Sequence, residues 1–159
     1  MKVACFDDKQ DELLRAKKAV EDRGHECIVV QVGDAIPRNK LAERLKVIDE
    51  VDGVLTDLYF FPDCNPYREY ETEPPAGLLI VIHTIARCKP VIICTDGDHH
   101  GAMAGWIYDA YLMSGGGNTQ ATSKAGVFEL QDAKNWTEAI RMLEGAAQWL
   151  KEKQEKEAC

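Results

Sequence analysis

Short apolar runs and helix-patterned stretches take turns along this chain of 159 residues. The runs are Val3–Phe6, Cys27–Val32, Gly53–Thr56, Pro90–Thr95 and Val127–Leu130. Each is short and largely apolar or β-branched, with Gln31 and Glu129 as polar interruptions, as expected of parallel strands covered on both faces. After the first run, Leu13, Leu14, Ala16, Ala19 and Val20 recur at mostly three- and four-residue spacing. That predicts a helix over Asp11–Arg23, stopped by Gly24. A second helix is expected over Pro37–Ile48, with proline in its first turn. A third, Ala76–Ala86, is apolar all round and so expected to be deeply buried. A fourth spans Ala102–Met113. The last carries Trp136, Ala139, Ile140, Leu143, Ala147 and Leu150 on one face. Strand–helix alternation repeated five times predicts an α/β fold, a doubly wound five-stranded parallel sheet with helices in three α/β/α layers.

Length favours one domain with a single substantial core, residues 1–153, followed by a charged tail, 154–159. The stretch Lys151–Glu157 is expected to fray. The formal charge of −8, with Lys and Arg scattered rather than striped, argues against nucleic acid as a partner. No apolar stretch reaches membrane-spanning length, and charged residues follow the start at once, so neither membrane span nor signal peptide is expected. The six cysteines (Cys5, Cys27, Cys64, Cys88, Cys94, Cys159) contain no CxxC. Cys5, Cys27 and Cys94 fall in strands, where a free thiol is a small buried hydrophobe. The expectation is a cytoplasmic protein with reduced thiols.

Acids stand at the ends of two of the runs. Asp7 and Asp8 follow the first, and Asp57 follows Val51-Asp-Gly-Val-Leu-Thr56. If those runs are neighbouring parallel strands, three carboxylates meet at the carboxyl edge of the sheet, where open α/β folds bind ligands. At ~5 Å and an effective dielectric near 20, each pair repels by on the order of 3 kcal/mol. Such a cluster calls for a cation, and hard oxygen ligands suit Mg²⁺.

With these residues in chain order, the sequence resembles a response-regulator receiver domain over roughly Lys2 to Lys153. The family places an acidic pair after strand one, matched by Asp7-Asp8, and a phosphoacceptor aspartate after strand three, matched by Asp57. A threonine or serine ends strand four, matched by Thr95 in Pro90-Val-Ile-Ile-Cys-Thr95. A lysine follows strand five, matched by Lys134 before Asn135-Trp136. The resemblance implies the flavodoxin-like, receiver-type version of the fold. It implies Mg²⁺ held by Asp7, Asp8 and Asp57, with Asp57 as nucleophile toward a phosphoryl group. Lys134 would pair with a phosphoryl oxygen and Thr95 would donate a hydrogen bond to it. A histidine kinase or phosphotransfer protein would be the donor, and a downstream protein, unspecified, the recipient of the signal.

The pattern has departures. Asp96 follows Thr95 where the family has a small residue, and either repels a phosphoryl group or adds a ligand. Gln131-Asp-Ala133 separates the expected strand end from Lys134, while Lys124 lies at the wrong edge of the sheet. Phe128 matches the family's switch aromatic only loosely. The 61–75 loop and the 96–125 region exceed the minimal pattern.

Other features have bland readings beside sharp ones. Asp96, Asp98, His99 and His100 form either a transition-metal turn or a solvated one. Asp96-Gly-Asp98 resembles a Toprim DxD, without the glutamate that fold needs. Gly115-Gly116-Gly117 is a flexible linker rather than a phosphate loop. Trp106, Tyr108 and Tyr111 are a partner surface or core, and Tyr67 and Tyr70 a recognition patch or loop anchors. Three functions follow. One is a stand-alone receiver phosphorylated on Asp57 that signals by protein–protein contact, its self-phosphorylation and dephosphorylation being its whole chemistry. Another is a degenerate receiver serving as a non-phosphorylated binding module. The third is a small Mg²⁺-dependent enzyme acting on phosphorylated small molecules.

Overall fold

The computed structural model describes residues 1–33, 42–58, 77–95, 128–131 and 134–157. Strands β1 (Lys2–Asp7), β2 (Glu26–Gln31), β3 (Gly53–Thr56), β4 (Val91–Cys94) and β5 (Phe128–Gln131) pair in parallel in the order β2-β1-β3-β4-β5. The first four carry the described core, and β5 joins β4 with Val91 opposite Phe128 and Cys94 opposite Gln131. Every residue of β3 and β4 is buried, as continuous apolar runs inside a sheet should be.

Two apolar clusters lie on the two faces of this sheet. One joins Val3, Cys5, Leu55, Ile92 and Cys94 to helix α1 (Gln10–Asp22) and to the last helix, α3 (Trp136–Glu157). The other joins Ala4, Phe6, Val54, Val91 and Ile93 to helix α2 (Gly77–Ile85) and to a 3₁₀ turn, Leu45–Glu50. Alternation along each strand sends successive side chains to opposite clusters, which is why both faces need helices.

Several expectations change. Strand β2 begins and ends one residue earlier than expected and is not covered on both faces, since Val29 is 40% exposed. It is an edge strand, and an edge has a neighbour on one side only. Residues 42–44 are helical, but Leu45–Glu50 tightens into a 3₁₀ turn that seats Leu45 and Ile48 in the core. Helix α2 is not buried all round: Ile80, Val81 and Thr84 face inward while Leu79 and Ile82 are 48% and 62% exposed. Leu14 lies outside the buried stripe of α1. In α3, Ala146 takes the buried place expected of Ala147, and the helix runs unbroken through Lys151–Glu157 instead of fraying. The 61–75 loop, Asp96, Asp98, His99, His100, the 102–113 helix, Gly115–Gly117 and Lys124 lie outside the described residues.

Candidate metal and phosphoryl site

The parallel register places the acids. Asp7 closes β1, and the Asp57 amide donates to the Phe6 carbonyl at 2.9 Å, so Asp57 leaves β3 beside Asp7. One ligand atom from each of Asp7, Asp8 and Asp57 lies within 4.8 Å of the others. Thr95 follows β4, buried, and its carbonyl accepts the Lys134 amide at 3.3 Å. That bond returns the chain to the site after β5. Lys134 adopts φ 45°, a left-handed conformation uncommon for a residue with a Cβ. Its ammonium sits between two carboxylates, 2.8 Å from Asp57 Oδ2 and 2.9 Å from Asp7 Oδ2. The three residues between the expected strand end and Lys134 therefore do not remove it from the cluster. Strand β5 extends to Gln131, and the left-handed turn recovers the rest.

The carboxylates are held by main chain as well. Lys9 N–H donates to Asp7 Oδ1 at 2.8 Å and Leu58 N–H donates to Asp57 Oδ1 at 2.7 Å. Asp7 is wholly buried and Asp57 nearly so. Burial pushes Asp7 up to about 7, against the opposing pull of Lys134 and the Lys9 amide, and the Asp57 charge adds to the rise. Burial alone would lower Lys134, but the carboxylates of Asp57 and Asp7 outweigh it and hold the ammonium well above its ordinary value. Burial also raises the nearby Cys94 thiol, which stays protonated and inert.

Two oxygens of the cluster, Asp7 Oδ2 and Asp8 Oδ1, are buried and have no hydrogen bond among the described residues. The Lys134 ammonium is in ion-pair range of the first, but not in hydrogen-bond geometry. Orphaned carboxylate oxygens are costly unless a cation meets them. Three oxygen donors of formal charge −3 against one lysine fit a hard divalent ion such as Mg²⁺.

Two glycines at the site were not singled out in the sequence. A Cβ at Gly77, the first residue of α2, would lie 2.1 Å from the Asp57 carbonyl oxygen, and one at Gly33 would lie 2.9 Å from Asp8 Cβ. The signal available for Gly77 was a glycine at the start of an apolar helix, which is weak alone. Trp136 Nε1 donates to Glu12 Oε2 at 2.8 Å, tying the segment after Lys134 to α1.

No protein-family model and no curated protein matches the chain in sequence. Solved structures do match in fold. A response regulator receiver domain protein from Clostridium thermocellum aligns with a TM-score of 0.57 at 18% identity, covering 96% of both chains. A structure described as a transiently phosphorylated switch in bacterial signal transduction aligns at 0.53 and 20%, over 94% of this chain and 96% of its own. The CMP N-glycosidase BcmB of Clostridium botulinum aligns at 0.51 and 12%, over 91% and 98%. The chain thus has the α/β, parallel-sheet fold of response-regulator receiver domains. That fold also carries an enzyme, so function rests on the site.

Proposed function

We propose that this chain is a receiver that accepts a phosphoryl group on Asp57 in a Mg²⁺-dependent reaction and signals by protein–protein interaction. The observation that carries this reading is the meeting of Asp7, Asp8 and Asp57 within 4.8 Å, with the Lys134 ammonium 2.8 Å from Asp57. A structural salt bridge needs one carboxylate; two against the lysine with a third beside them leave a surplus of negative charge suited to a cation.

In the proposed step a carboxylate oxygen of Asp57 attacks phosphorus. The new O–P bond forms as the donor's bond to phosphorus breaks, and that electron pair leaves with the donor, a phosphohistidine of a kinase or phosphotransfer protein. Leu58 N–H holds Asp57 Oδ1 and so fixes the carboxylate plane. Lys134 meets the charge of the incoming phosphoryl oxygens, and the Thr95 hydroxyl donates to one of them. Asp7, Asp8 and Asp57 would hold Mg²⁺, which when bound neutralises charge on the phosphoryl oxygens. The acyl phosphate adds about −1.5 to −2 charge where Lys134 and the carboxylates already meet, enough to rearrange the edge for a partner.

Incubation with acetyl phosphate and Mg²⁺ tests this. The expected result is a base-labile mass gain of one phosphoryl group, absent in Asp57→Ala and absent with chelator. No adduct, and no spectral change with beryllofluoride, would leave the chain a non-phosphorylated binding module. Turnover of phosphate esters without a lasting adduct would mark it as an enzyme.

A further inference from the structure

The chain just beyond strand β3 comes into near contact with the first residue of helix α2, beside Asp57. Gly77 N–H donates to the Leu58 carbonyl at 2.9 Å, and the glycine is buried. A Cβ at that position would stand 2.1 Å from the Asp57 carbonyl oxygen, 2.9 Å from Leu58 Cα and 3.0 Å from the Asp57 carbonyl carbon. All three atoms are main chain, so no rotamer change relieves the clash. The remaining way to admit a side chain is to move the Asp57–Leu58 peptide or the start of the helix.

That peptide is the one whose N–H holds the carboxylate. Leu58 N–H donates to Asp57 Oδ1 at 2.7 Å, and Asp57 Oδ2 faces Lys134 at 2.8 Å. Turning the peptide turns its N–H vector and with it the carboxylate plane. The opposite side of Asp57 is fixed: its amide is bonded to the Phe6 carbonyl at 2.9 Å. Strain entering from Gly77 therefore falls on the 57–58 peptide rather than on the sheet.

We propose that Gly77 is a positioning residue for Asp57: its missing side chain lets α2 press directly on the 57–58 peptide, which aims the carboxylate at Lys134 and the cation site. This rests on Asp57 being the phosphoacceptor. Gly77 touches no reacting atom and acts only through the Asp57–Leu58 main chain.

The test compares Gly77→Ala with Ile140→Val, a core change in α3 on the other face of the sheet, and with Gly145→Ala, where a new Cβ meets nothing within 4 Å. In the full chain, Gly77→Ala is expected to slow acetyl-phosphate modification of Asp57 at least tenfold while the protein stays folded. Ile140→Val and Gly145→Ala are expected within about twofold of wild type, whatever their melting temperatures. A folded Gly77→Ala protein modified at the wild-type rate would overturn the proposal. If wild type itself takes no phosphoryl group, the phosphoacceptor reading fails, and the positioning claim is read from amide spectra without any donor. There Gly77→Ala must shift the Asp57 and Leu58 amides more than either control does, and equal shifts would overturn it. Should Gly77→Ala not fold, hydrogen exchange on wild type decides: a Gly77 amide that exchanges as fast as an unprotected one would overturn it, and strong protection would support it.

Discussion

Asp8 differs from its two neighbours in having, among the described residues, no cation beside it. Lys134 reaches Asp7 and Asp57, whereas Asp8 Oδ1 is buried without a hydrogen-bond partner. On the proposed function, Asp8 contributes mainly repulsion in the ion-free protein and would become a ligand when Mg²⁺ binds. Asp8→Asn is therefore expected to raise the stability of chelator-treated protein by about 1 kcal/mol, a fraction of the gross Coulomb repulsion. In millimolar Mg²⁺ the order reverses, because the variant binds the ion more weakly and gains less from it. Denaturant melts with and without Mg²⁺ check this; parallel shifts in both conditions would show that Asp8 is no ligand. The position of Asp8 was legible in the sequence because an acid pair after an apolar run sits at a strand's carboxyl end. Gly33 and Gly77 were not, since a glycine needed for close approach looks the same as one in a turn until its neighbours are known.

Among elements, the seat of α3 is specified twice, against β3 and against the end of α1. Leu143 lies over Gly53 at the start of β3, where a Cβ would stand 3.2 Å from both Leu143 methyls. Gly53→Ala should cost about 1–2 kcal/mol by overpacking, and less in a Leu143→Val background that yields space. A double-mutant cycle with no coupling would contradict the fit. At the far rim of α1, Arg23 makes a two-toothed ion pair with Glu144 of α3, and His25 Nε2 lies 2.7 Å from the same carboxylate. The Arg23 guanidinium, and then His25, hold Glu144 below its ordinary value. A carboxyl depressed by folding adds stability above its unfolded value of 4.5 and loses it as pH falls through the lower folded value. Glu144→Gln should thus lower Tm by about 1–3 °C at pH 7 and by progressively less as pH falls below 4.5. The inner strands were readable because β3 and β4 bury both faces, so pattern and burial coincide. Strand β2 and helix α2 were misread for a shared reason. Apolar sequence reports what could be buried, whereas cover depends on neighbours distant in the chain, and Val29, Leu79 and Ile82 lack it.

For the whole molecule, the cluster couples one edge of the sheet to global stability. The chain carries a formal charge of −8, and two of its three converging acids, Asp7 and Asp57, are met at close range by Lys134. That lysine is nearly as buried as the carboxylates it bridges. Removing one partner of a buried pair costs about 3–5 kcal/mol because the charge left behind has no water to turn to. Lys134→Met keeps the length and most of the apolar stem, so it isolates the charge. In chelator the variant is expected to lose about 3 kcal/mol, a fall in Tm of roughly 6–12 °C for a domain of this size. A divalent ion in the same cluster feels the lysine as a repelling neighbour, and without it meets the full field of the carboxylates. Mg²⁺ should therefore raise the Tm of Lys134→Met by more than it raises that of wild type, recovering most of the loss. Asp57→Asn in the Lys134→Met background should abolish that extra gain, since one ligand of the ion is then neutral. Thermal melts across a Mg²⁺ titration separate the outcomes. A smaller Mg²⁺ response in Lys134→Met than in wild type would mean that the lysine helps to build the ion site rather than competing for it.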